Sequence, residues 1–154
     1  MDLNFLEALE QGRNEADDYE KNIKEVETIF DSVEKSLKQF LADTSIKLTE
    51  TLEQEKENKM RAHEILIFAG IQPKINYTGY RLVSVTKIIT DDFGDNVTSH
   101  LGDHIFKYKL GDKVYPIEVI FQDTKAICAD SEGLVQVIKR ILADGQTVRL
   151  LRRI

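Results

Sequence analysis

LEQGRNEADDYEKNIKEVETIFDSVEKSLKQF, from Leu9 to Phe40, is the stretch on which the reading of the fold turns. Its apolar or small residues recur at alternating steps of three and four: Leu9, Gly12, Ala16, Tyr19, Ile23, Val26, Phe30, Val33, Leu37 and Phe40. On an α-helix this spacing draws one stripe along one face for more than four heptads, the pattern of a coiled-coil seam. The intervening positions are mostly charged, with Glu15, Asp17, Asp18, Glu20, Lys24, Glu25, Glu27 and Glu34 among them. A lone helix would leave the stripe in water, so the sequence predicts a second helix against it, from later in the chain or from another copy. Tyr19, Ile23, Val26, Phe30, Val33, Leu37 and Phe40 are the expected oligomer interface. The bulk of Tyr19, Phe30 and Phe40 suits an antiparallel bundle or a higher-order assembly better than a parallel pair.

Upstream, Asp2 or Asn4 is placed to cap the helix start, with Phe5, Leu6 and Leu9 forming a small apolar face. Downstream, Leu41, Leu48, Glu55, Ala62 and Ala69 continue a seven-residue series in a shifted register. Either the helix runs on through a stutter, or it turns at Asp43-Thr44-Ser45 and returns as a second helix from Ile46 to about Gly70. Gln72-Pro73-Lys74 then marks a boundary, after which the periodicity becomes strand-like.

Beyond it, Tyr80–Thr90 and His104–Leu110 read as strands, and Gly111-Asp112 turns the second of these into Val114–Phe121 as a hairpin. Pro116 has no amide to donate, so a strand end, bulge or edge is expected there. Thr124–Ala129 reads as a further short strand. Asp130 or Ser131 caps a helix with the face Leu134, Val137, Ile138, Ile141 and Leu142, closed at Asp144-Gly145, and Thr147–Ile154 reads as a last strand. The expected fold is therefore α+β. A long N-terminal coiled-coil helix or antiparallel helical hairpin occupies residues 1–70, and residues 76–154 form a small antiparallel sheet with one covering helix in the order β-β-β-α-β.

The chain of 154 residues carries a formal charge of −6, unevenly divided. Residues 1–70 hold 9 Lys/Arg against 17 Asp/Glu, and residues 71–154 hold 12 against 10. An acidic helical half is a poor phosphate binder, so nucleic acid is not an expected partner. No apolar run approaches the roughly 20 residues that cross a bilayer, and a cytoplasmic protein is expected. Cys128, the only cysteine, sits among apolar neighbours and reads as a buried, inert thiol.

Nucleotide-binding and nucleophile-elbow motifs are absent from the sequence. Metal-ligand residue types collect only in the polar stretch Asp91–His104, where His100 and His104 with Asp95 or Asp103 would make a set for zinc, manganese or iron. Their spacing in a loop is not that of a ligand pair, and the sequence predicts no cofactor, no metal and no enzymatic activity. Lys139, Arg140, Arg149, Arg152 and Arg153 gather positive charge near the C-terminus and are the candidate surface for an acidic partner. The same cations also serve helix C-termini and protect a sheet edge. The expected function is a non-enzymatic assembly or adaptor protein. It oligomerises with itself or another coiled-coil protein through the helix and contacts a protein partner with the head. The alternative is an acidic inhibitor or immunity-type protein that blocks a basic site.

Overall fold

The computed structural model describes residues 3–55, 70, 75–99 and 103–154. Asn4 caps the first helix: its side-chain oxygen accepts from the Glu7 amide, and its amide nitrogen donates to the Glu7 carboxylate at 2.6 Å. From that reciprocal cap α1 runs unbroken over Phe5–Phe40. Among the described residues six strands follow: β1 Ile46–Gln54, β2 Tyr77–Thr90, β3 Asn96–Ser99, β4 Phe106–Gly111, β5 Val114–Phe121 and β6 Thr124–Cys128. Two helices close the chain, α2 Ser131–Leu142 and α3 Gly145–Leu151. The arrangement is α+β, as the periodicity predicts: a long N-terminal helix, then an antiparallel sheet with helices.

All pairings are antiparallel, in the order β1-β2-β4-β5-β6, with β3 pairing the far end of β2. Alternation along the strands sends Ile46, Val83, Val85, Phe106, Tyr108, Ile117, Val119 and Cys128 into one core. Leu134, Val137, Ile138 and Ile141 of α2 and Leu151 of α3 cover it. The β4–β5 hairpin forms at Gly111 as expected, and a Cβ there would lie 2.7 Å from the Pro116 carbonyl oxygen. The register slips between Lys109 and Gly111, opposite Pro116, where a residue without an amide proton is tolerated.

The seam of α1 is covered mainly by this sheet, with α2 packed alongside it. Val26, Val33 and Leu37 are buried in the common core, with Ile23, Ile29 and Phe30 packed beside them. The Phe30 ring lies 5.2 Å from Tyr108 and 6.3 Å from Phe106. One core thus draws on both sides of the predicted boundary between residues 1–70 and 76–154. A stripe repeating every 3.5 residues states how much apolar area must be covered and along which face; a sheet meets that demand as well as a helix does.

Two predicted elements change type. The chain does turn after Phe40, with Ala42 at positive φ and the Asp43 carboxylate accepting from the Ser45 amide at 2.9 Å. What returns is β1, not a second helix; residues 56–69 of the expected helix lie outside the described residues. Leu48 and Leu52, four apart, satisfy both periods, and Ile46 and the threonines 49 and 51 favour the strand once β2 offers a free edge. The predicted last strand is instead α3. Asp144 caps it by accepting from the Gln146 amide at 2.8 Å, and Thr147 and Leu151 fall on one buried face.

Candidate functional site

Contact between α1 and the body begins at Asn22, whose side chain donates to the Lys113 carbonyl at 3.2 Å across the β4–β5 turn. Farther along, the Tyr115 hydroxyl donates to Glu25 at 3.1 Å, and the Leu48 amide donates to Glu34 at 3.0 Å. These polar ties lie off the heptad seam, where the sequence reads as solvated charge and gives no signal of them. Every residue from Leu3 to Lys21 is exposed. The first 17 residues of α1 therefore project from the body as an arm of about 25 Å. Because the arm continues a helix already nucleated by packing, it avoids the cost that makes isolated short helices marginal.

The apolar stripe persists on this arm. Phe5 is 69%, Leu6 68% and Leu9 71% exposed, and Tyr19 is 43% exposed. Gly12 completes the stripe, and a Cβ there would meet nothing within 4 Å. Glycine inside an exposed helix costs about 1 kcal/mol relative to alanine, and no contact within the described chain calls for it. The residues expected as one interface thus divide. Ile23, Val26, Phe30, Val33 and Leu37 face the chain's own sheet, Tyr19 belongs to the arm, and Phe40, 61% exposed, ends the helix at the opposite side.

The second feature is a groove on the helical layer. One cleft of about 740 Å³ lies between Asp17–Ile29 of α1 and Ser131–Val135 of α2, and another of about 360 Å³ lies between Thr28–Ser36 and Val135–Leu142. Both share Thr28, Ile29 and Val135, so they adjoin along one shallow, open channel, and their order shows α1 and α2 running in the same direction.

The opposite face of the sheet carries a closed polar network. Lys107 Nζ reaches both Glu53 oxygens at 2.9 and 3.0 Å, and the Tyr80 hydroxyl donates to Glu118 at 2.6 Å. Lys125 pairs with Glu118 at 3.2 Å, and Lys107 and Lys109 lie 5.1 and 5.7 Å from the Tyr80 ring centre. The Tyr80 hydrogen bond, then Lys125, holds the Glu118 carboxyl below its usual range, and the same bond, seen from the phenol, raises Tyr80. Under the helices, burial first and the facing Glu50 second push the Tyr108 phenol well up. The network pairs Glu53 and Glu118 with donors from neighbouring strands and ties the outer face of the sheet together.

Lys139 and Arg140 lie in the last turn of α2, Arg149 in the last turn of α3, and Arg152 caps it, with Arg153 next; all five are exposed. All five thus sit at or beyond a helix C-terminus, and Arg149, Arg152 and Arg153 are not on the predicted last strand. Of the polar loop, Asp91 to Asp95 is a tight turn. The Asp91 carboxylate accepts from the Phe93 amide at 3.0 Å and the Asp95 amide at 2.7 Å, with Gly94 at positive φ. Both bonds go to one carboxylate oxygen, Oδ1. His100 lies outside the described residues, and among those described no cluster of three or more metal-ligand side chains occurs. Among the described residues no helix is long and apolar enough to cross a membrane.

Comparison with known protein families, curated proteins and solved structures finds no match to this chain.

Proposed function

We propose that this is a non-enzymatic assembly or adaptor protein whose copies pair through the projecting arm of α1, leaving the α+β body to contact a protein partner. The observation that carries the reading is the uncovered stripe Phe5, Leu6, Leu9 and Tyr19 on a helix whose seam from Ile23 to Leu37 already packs on the chain's own core. Helices that repeat an apolar stripe every 3.5 residues are self-complementary, and a two-fold pairing buries the same patch on both copies. Gly12 and Ala16 give the stripe a narrow waist where two helices can approach closely.

Residues 3–21 carry Arg13 and Lys21 against Glu7, Glu10, Glu15, Asp17, Asp18 and Glu20, a net −4. Two such arms repel, so self-association is expected to tighten as salt screens them. Light scattering over a concentration and salt series tests this. The wild-type protein should form a dimer or larger species that strengthens with salt, and Leu9→Asp should be a monomer with unchanged melting. A wild-type monomer at every concentration, or an oligomer indifferent to Leu9→Asp, refutes the reading. The same −4 charge favours the inhibitor reading as runner-up, in which a 1:1 complex with a basic partner weakens as salt rises.

A further inference from the structure

The channel between α1 and α2 has a floor of Ile29, Val33, Val135, Ile138 and Leu142. Along its α1 wall stand Thr28, Ser32 and Ser36, small residues one turn apart. The Thr28 hydroxyl already donates to the Lys24 carbonyl at 2.8 Å and the Ser36 hydroxyl to the Ser32 carbonyl at 2.9 Å. An occupant can therefore press against this wall without stranding the Thr28 and Ser36 hydroxyls. The two ends differ in charge. Asp17, Glu20, Glu25 and Glu132 outnumber Lys21 and Lys24 at one end, whereas among the described residues Lys139 is the only charged one lining the other.

We propose that this channel is a docking site for an amphipathic helix of another protein, lying antiparallel to α1 and α2 with its apolar face on the floor. Charge sets the direction: its cationic C-terminal turn meets Asp17, Glu20 and Glu132, and its acidic N-terminal turn meets Lys139. A helix with acid first and base last is also the one its own macrodipole favours, so groove and ligand agree. Antiparallel placement opposes its dipole to those of α1 and α2. The apolar contact supplies affinity, in the manner of other helix-in-groove recognition, and the charged ends fix orientation. The inference deepens the adaptor reading by giving the body its partner, and it uses none of the arm's apolar residues.

The probe is a fluorescein-labelled, end-blocked peptide of about 15 residues, long enough to follow the channel past α2. It carries leucines at alternating steps of three and four, glutamates in the first turn and lysines in the last. Anisotropy should show saturable binding to the wild-type protein. Ser32→Trp, which fills the channel from an exposed position, should weaken it roughly tenfold or more, and Glu132→Lys by several-fold. Leu9→Asp should leave it unchanged, with far-UV melts showing that all three variants fold. No saturable binding, binding indifferent to Ser32→Trp, or binding lost in Leu9→Asp but kept in Ser32→Trp overturns the proposal. The last outcome would leave the arm intact as a docking element, so the two readings fail separately.

Discussion

Leu9 and Leu37 occupy equivalent positions of one heptad seam, yet Leu9 is 71% and Leu37 only 4% exposed. Replacing each by alanine separates the two halves of α1. At Leu37 the substitution removes a side chain from the shared core, and truncations of buried leucine cost about 2–5 kcal/mol because the site collapses only partly. With α1 lying over the sheet and Phe30 already wedged on Tyr108, about 3 kcal/mol is expected. For a chain of this size that is a fall in Tm of roughly 6–12 °C. At Leu9 little apolar area returns to water, and leucine and alanine have similar helix propensities, so the change should stay within about 0.5 kcal/mol. Urea unfolding followed by far-UV circular dichroism at low concentration measures both. At high concentration Leu9→Ala should also weaken self-association by about tenfold or more, since roughly 1.4 kcal/mol of lost contact in the pair is a factor of ten. Comparable losses from Leu9→Ala and Leu37→Ala at low concentration, or a Leu37→Ala cost below about 1 kcal/mol, would refute the division of the seam.

At Glu34 burial opposes ionisation, but the Leu48 amide and Lys38 outweigh it and lower the pKa; Asp43 is brought to about 2 by Ser45, then Lys87. Depressed carboxylates contribute stability above their unfolded pKa and lose it as pH falls through the folded values, so urea midpoints should be level near neutrality and decline from about pH 4.5 to pH 2. Tyr115 is pushed to about 12, by burial first and then by its bond to Glu25. Being raised, it contributes fully below pH 10 and loses its contribution between 10 and 12; Tyr115→Phe should flatten that alkaline limb. A Tyr115→Phe curve identical to wild type there would exclude the Glu25 tie. Cys128 is 1% exposed with its thiol raised by burial, so a disulfide reagent at pH 8 should label no cysteine in native protein and one in urea. Rapid labelling of the native chain would contradict the burial of β6 against α2.

Legibility followed the range of the signal. The Asn4 cap, the unbroken heptad stripe, the glycine of the β4–β5 hairpin and the Asp130 cap of α2, which accepts from Gly133 at 2.8 Å, are all local, and each element carrying such a mark has the predicted type. Ile46–Gln54 and Gly145–Leu151 carry spacings that fit two periods, and both changed type. Of the expected interface, Tyr19 lies on the exposed arm, but nothing in the pattern distinguishes it from Val26, which is buried. The groove was not legible at all, because α1 and α2 are about 90 residues apart and only their common seat on the sheet brings Ile29 beside Val135.

Hydrogen bonds and periodicity within a few residues fix that α1 forms, which face of it is apolar, and that an antiparallel sheet with a capped helix follows. What covers that face is settled by packing between distant parts of the chain. An apolar stripe is non-directional in its demand, being satisfied by any surface that removes it from water, so the sheet takes Ile23 to Leu37 and stops at the Lys113 turn. The length of β4 and β5 relative to α1 thereby leaves Phe5 to Tyr19 outside, and that mismatch, invisible in the heptads, creates the arm.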